Sequence, residues 1–157
     1  MNRPRQIGTA AETAVTRWLR ASGWPQAERR SLRGRDDAGD ITGTPGLCWE
    51  IKAGDAADRA SDSQVTAWLA DTERERVNAN ADYGVLVLRR RGKGSPGDWW
   101  AVLPTEDLAR LWVGRQNRRV VQRTGAGGPG VRLRLGDLAA VLRATGYGDP
   151  SDVEDAS

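Results

Sequence analysis

The sequence has no histidine and no phenylalanine, and only one cysteine and one methionine in 157 residues. With no histidine and a single thiol, Cys48, the chain cannot build a zinc finger, a Cys–His catalytic pair, a disulfide framework or a histidine-ligated haem. Any catalysis must come from carboxylates, lysine, arginine, hydroxyls and a metal that prefers oxygen. Lysine is scarce too: of 24 basic residues only Lys52 and Lys93 are lysines, the other 22 being arginines. Long apolar runs are also missing, so no membrane span is expected. The first helical segment is amphipathic rather than uniformly apolar, which argues against a secretory signal and for a soluble intracellular protein.

What is present is arginine, unevenly placed. Residues 1–35 carry eight arginines against Glu12 and Glu28, a net of +6. Leaving out the four acidic residues of 148–157 raises the formal net charge from +3 to +7. A basic body with an acidic, Gly/Pro/Ser-containing tail suits a polyanionic partner, nucleic acid being the usual one. The plain alternative is a solvated arginine-rich surface. The length suits one domain, residues 1–147, with 148–157 expected as a disordered acidic tail.

Hydrophobic spacing predicts a helix over 6–21, with Ile7, Ala11, Ala14 and Trp18 as its stripe and Gly23 as its stop. A strand over 27–32 and a loop over 34–39 follow. Two strands, 39–43 and 47–53, are joined across Thr44-Pro45-Gly46. A second helix, 61–81, has Val65, Trp68, Leu69 and Thr72 on its apolar side. The unbroken run Val85-Leu86-Val87-Leu88 marks 83–90 as a strand buried on both faces. Beyond a turn at 91–98 come a strand at 99–103, a helix at 105–113 capped by Thr105, strand-like segments at 119–124 and 131–135, and a helix at 137–145. The class is α/β (α+β): a single mixed sheet flanked by helices, with a core of order α-β-β-β-α-β.

Within strand 47–53, alternation sends Trp49 and Ile51 to one face and Cys48, Glu50 and Lys52 to the other. Seven Glu and two Lys in 157 positions supply about 0.09 Glu-x-Lys spacings by chance, so the motif is informative although an exposed ion pair remains the plain alternative. Register decides whether Asp40 joins Glu50. A two-residue turn at Pro45-Gly46 pairs Asp40 with Ile51, on the wrong face. A three-residue loop, with Gly46 at positive φ, pairs Asp40 with Glu50, and a bulge would serve equally. Two facing carboxylates then require something positive between them, a divalent cation being the obvious candidate. Glu12, off the apolar stripe on the flank of Gly8, is placed to complete the group; a solvated helix-flank glutamate is its alternative.

Gly8-(x)3-Glu12, Asp40 at a strand start and Glu50-Ile51-Lys52 together resemble the PD-(D/E)xK nuclease superfamily, in particular its archaeal and phage Holliday junction resolvase-like branch. The resemblance covers about residues 5–68, with Gly39 where the family carries a turn proline, and does not extend to 119–135. It implies a restriction endonuclease-like, resolvase-like core and a DNA endonuclease that leaves 5′-phosphate ends. It also implies Mg²⁺, with Mn²⁺ able to substitute, bound by Asp40, Glu50 and the Ile51 carbonyl. By the same likeness Lys52 holds or deprotonates the attacking water or stabilises charge at phosphorus, and Glu12 orients water or shares a second metal. Gln64 falls where such nucleases carry a supporting polar residue, although a surface glutamine fits as well. Branched DNA and a homodimer are implied on the same grounds. A nuclease for linear or single-stranded DNA in restriction or repair, or a catalytically idle nucleic-acid-binding module, are the competing functions.

Arg29, Arg30, Arg33 and Arg35 bracket the approach to Asp40 and could clamp phosphates. Arg132 and Arg134 share one face of their strand, a basic stripe that Arg119 and Arg123 would extend across the glycine-rich loop, against the alternative of a charge-protected edge. The glycine-rich stretch 125–130 lacks the Lys-Ser/Thr of a nucleotide P-loop. In Trp99-Trp100 the rings must point to opposite faces, so one is covered by a helix, by a second subunit or by a stacked base, burial being the favoured reading. Cys48, without a base partner, reads as packing.

Overall fold

A computed structural model describes residues 3–31, 37–113 and 130–150. Helix α1 (Arg3–Ala21) leads into a two-stranded antiparallel ribbon of β1 (Glu28–Arg29) and β2 (Ile41–Thr42). A four-stranded mixed sheet follows in the order β3 (Leu47–Lys52), β4 (Tyr83–Leu88), β5 (Trp100–Pro104) and β6 (Gly130–Arg134). β3 and β4 are parallel, joined through the short helix α2 (Asp55–Asp58) and the long helix α3 (Asp62–Asn78), while the later pairs are antiparallel. A 3₁₀ turn (Pro96–Asp98), helix α4 (Thr105–Val113) and helix α5 (Leu135–Ala144) complete the element order.

The expected mixed sheet flanked by helices is the architecture found. One face packs under α1, α4 and α5: Ala11, Val15 and Leu19 meet Trp49, Ile51, Val85, Val87 and Leu103, together with Leu111, Leu138 and Leu142. The other face packs under α3, whose Val65 and Leu69 cover Leu86, Leu88 and Val102. Burial on both faces is why β4 needs an unbroken apolar run. Ser61 caps α3, its hydroxyl accepting from the Gln64 N–H at 3.2 Å, which satisfies one of the orphan donors at a helix start. Among the described residues no helix is long and apolar enough to cross a membrane.

Four local expectations change. The buried stripe of α1 is Ala11, Val15, Thr16 and Leu19; Ile7, Ala14 and Trp18 lie half-buried beside it. The segment 39–43 does not extend the main sheet but pairs with β1, Arg29 facing Ile41. Gly39 and Gly43 are the reason: positive φ at both, +87° and +77°, bends the chain into and out of a strand only two residues long. Trp99 is buried, but Trp100 is only half-covered, on the α3 face. At the far end, Asp149 is held by its N–H donating to the Gly23 carbonyl at 2.7 Å, so packing continues past the expected boundary at 148. The strand at 119–124, with Arg119 and Arg123, lies outside the described residues, as do residues 151–157 of the tail.

Candidate active site

β3 carries the centre of the site. Its inward face holds Trp49, fully buried, edge-on to Trp24 at 6.5 Å and donating its indole N–H to the Thr44 hydroxyl at 3.0 Å. That anchoring fixes the strand's rotation, so Cys48, Glu50 and Lys52 must face α3. Leu47 follows the turn centred on Pro45 and Gly46, its N–H donating to the Thr44 carbonyl at 3.0 Å. Gly46 has φ +81°, as the third residue of a type II turn requires.

Asp40 reaches β3 by a route that neither expected register describes. Its N–H donates to the Trp49 carbonyl at 2.7 Å, and its carboxylate oxygen Oδ2 accepts the Ile51 N–H at 2.7 Å. The side chain thus replaces a backbone acceptor on the β3 edge, just before β2 begins. The Ile51 carbonyl points to the same edge, since the N–H and C=O of one strand residue face the same neighbour. Glu50 is almost fully buried and paired with the Lys52 ammonium. Lys52 is about a third exposed and sits 5.9 Å from the centre of the Trp68 ring.

Negative charge crowds here. Burial, then the charge of Glu50, pushes the Asp40 carboxyl up to about 8, with Glu12 contributing further and the Ile51 N–H pulling the other way. Burial on its own would lower Lys52; the hydrogen bond and charge of Glu50, with Asp40 and Glu75, outweigh it and raise the ammonium above its ordinary value. Lys52 is therefore a cation at neutral pH. The Cys48 thiol is pushed up to about 12 by burial and then by Glu75 and Glu50, so it is inert packing.

Glu75 is the residue the sequence reading missed. It lies on α3, 6% exposed, and its Oε2 has no hydrogen-bond partner among the described residues. Burial, followed by the charge of Glu50 and a shared hydrogen bond with it, pushes Glu75 up to about 9. A signal existed: Val65, Leu69 and Thr72 form a buried stripe whose next position is 75, where a glutamate stands in a core slot.

The structure brings together Asp40, Glu50, Lys52 and the Ile51 backbone. Glu12 stands at the margin, its side chain 21% exposed and accepting from Arg29 at 3.3 Å. Arg29 therefore borders the site, and the Arg30 N–H donates to the Asp40 carbonyl at 2.7 Å. Gln64 is exposed on the first turn of α3, and no hydrogen bond among the described residues joins its side chain to the carboxylates. Arg132 and Arg134 are both exposed on β6, but Arg134 is paired with Asp137 at 2.9 Å. Arg33 and Arg35 lie outside the described residues. Gly8 has nothing within 4 Å of where a Cβ would stand, so no protein contact demands glycine there.

Among the described residues no three acidic or cysteine side chains stand at the spacing of a ready-made metal cage. The donor chemistry nonetheless fits a hard cation. Magnesium is commonly held by one or two carboxylates with water filling the rest of its shell, and Asp40, Glu50 and the Ile51 carbonyl are such a set. The unpartnered Glu75 oxygen and the raised Asp40 both mark carboxyls crowded together with too little positive charge nearby to keep them all ionised. Compared with protein-family models, with curated proteins and with solved structures, the chain matches none.

Proposed function

We propose that this chain is a divalent-metal-dependent DNA endonuclease of the PD-(D/E)xK, resolvase-like kind, with branched DNA as its leading substrate. The observation that carries the reading is the meeting of Asp40, Glu50 and Lys52 at one edge of β3, two carboxylates and a cation held by strand geometry. Asp40, Glu50 and the Ile51 carbonyl are the residues that would hold Mg²⁺ or Mn²⁺. When bound, such an ion supplies a more acidic water and neutralises charge at phosphorus. Lys52, kept protonated by its carboxylate neighbours, suits holding the attacking water or stabilising the pentavalent phosphorane, rather than removing a proton. Glu12 is positioned to orient water at the margin, and Arg29 and Arg30 to pair with phosphates on either side.

In this reading the protein works as a homodimer in the cytoplasm of a bacterial or phage-infected cell, because a junction presents two strands to cut. The test is cleavage of an end-labelled four-way junction beside a linear duplex of the same sequence, in Mg²⁺ and in Mn²⁺. Wild type is expected to cut the junction, while Asp40→Asn and Lys52→Ala lose at least about a hundredfold in rate, the scale of a lost electrostatic catalytic group. No cutting of either DNA in either metal overturns the nuclease reading. Binding without cutting would then leave the idle binding module. Equal cutting of both substrates removes only the preference for branches.

A further inference from the structure

The sheet face that bears Glu50 and Lys52 continues to a second cluster of charged and aromatic side chains. Lys52 is in register with Leu88, and Leu88 with Trp100, so Trp100 stands two strands away on the same face, about 10 Å at ordinary strand spacing. Between Trp100 and the link from α2 to α3 lies a groove of about 420 Å³. Leu88 belongs to its lining, with Arg59, Arg90 and Arg132, and with Asp58 as its one carboxylate. The Arg90 guanidinium lies 3.9 Å from the Trp100 ring centre, a stacking distance, and that of Arg132 lies at 5.8 Å.

Arg90 is oriented by donating to the Asp98 carbonyl at 2.8 Å, but that bond leaves its charge without a counter-ion. Arg91, next door, is neutralised by Asp55 at 2.9 Å and Asp58 at 3.2 Å. Among the described residues, no ion pair links Arg59, Arg90 or Arg132 to a carboxylate. Three guanidinium groups round one groove repel each other, a cost that an anion relieves. An indole with a guanidinium stacked on it is also a platform on which a flat heterocycle can lie. Anion and flat ring together describe a nucleotide. The groove's volume admits one nucleotide at a time, and a base within a duplex is already stacked and paired, so the strand that fits is an unpaired one.

We infer that this groove binds single-stranded DNA, one base stacking on the Trp100–Arg90 platform while neighbouring phosphates pair with Arg59 and Arg132. The inference rests on the nuclease reading for its biological sense, and deepens it. The preferred substrate becomes DNA with an unpaired strand running from the scissile phosphate across the sheet, as at a flap or an opened branch.

The experiment uses the full chain in EDTA, where nothing can be cut, with fluorescein-labelled oligodeoxythymidine of about 15 nucleotides and a blunt duplex as separate probes. Wild type is expected to bind the oligothymidine with marked salt dependence. Arg59→Glu combined with Arg132→Glu, both on exposed side chains, weakens that binding at least about tenfold and flattens the salt slope by about 1.4, two single-strand phosphate contacts. Trp100→Leu weakens it about tenfold, and Trp100→Tyr, which keeps a stacking ring, restores most of the loss. Thermal melts of each variant separate this from unfolding, and the charge-reversed pair remains informative if Trp100→Leu proves unstable. Unchanged oligothymidine affinity in the charge-reversed variant overturns the groove, and so does equal loss on oligothymidine and duplex. Cleavage in Mg²⁺ is scored separately. A wild type that binds through these residues yet never cuts sinks the nuclease and keeps the groove. A wild type that cuts while the variants bind normally does the reverse.

Discussion

Glu75 illustrates what burial does to a single carboxyl. Removed from water by the packing of α3 on the sheet and set beside Glu50, it holds its proton up to about 9, against an ordinary 4.5. The folded state therefore binds a proton more tightly than the unfolded chain. The stability this contributes is fully present below about pH 4.5 and is lost as pH rises through about 9. Denaturation in EDTA should accordingly give a lower midpoint at pH 9 than at pH 6. Glu75→Gln keeps the shape and cannot ionise, so it should melt higher than wild type at pH 9 and show a flatter pH dependence. Parallel pH profiles for the two proteins would show that Glu75 has an ordinary acidity in solution.

At the scale of elements, the bend at Gly39 that leads into β2 decides where Asp40 stands. A Cβ on Gly39 would stand 2.8 Å from the Cys48 sulfur and 2.8 Å from the Trp49 carbonyl oxygen, on a backbone at φ +87°. Both a side chain and the fixed negative φ of proline are excluded there. This explains on physical grounds why glycine precedes Asp40 here. Gly39→Ala is expected to lose about 1–3 kcal/mol of stability, read from urea denaturation. It should also weaken divalent-metal binding, because Asp40 is tied to β3 through the same backbone. An alanine variant as stable as wild type would mean the turn relaxes freely and does not hold Asp40. The partner element is α3, whose Val65 and Leu69 pin it over β4 and thereby place both Glu75 and Trp68 against β3.

For the whole molecule, charge distribution joins fold to function. The two sheet faces divide the labour: α1, α4 and α5 cover one with the main apolar core, and α3 only partly covers the other. Buried Glu50 and Glu75, Lys52 and the Trp100 groove belong to that partly covered face, with Asp40 joining at its edge. The proposed activity requires a cation among those carboxylates, and Asp40, protonated up to about 8 without one, must ionise to bind it. Calorimetric titration with Mn²⁺ at pH 7, repeated in buffers of different ionisation enthalpy, should therefore show release of about one proton per ion. Asp40→Asn should abolish the binding. Proton-free binding, or binding that survives Asp40→Asn, would move the cation elsewhere.

Much of this was legible in the sequence because it rests on periodicity. Alternation within Leu47–Lys52 assigned Glu50 and Lys52 to one face, the apolar run 85–88 marked the central strand, and 3.6-residue spacing found α1 and α3. Chemistry was legible by subtraction, since a chain without histidine and with two lysines leaves few groups to choose among. Three things were decided only by the tertiary structure. Asp40 meets β3 through its side chain and not through a ladder, because two glycines at positive φ divert the backbone. Glu75 became part of the site because a helix distant in sequence lays it against Glu50. The Trp100 groove exists because β4 joins β3 and β5, aligning Lys52, Leu88 and Trp100 across 48 residues of chain. Periodicity is a local property that one segment can express alone; the meeting of charges is a property of which segments become neighbours.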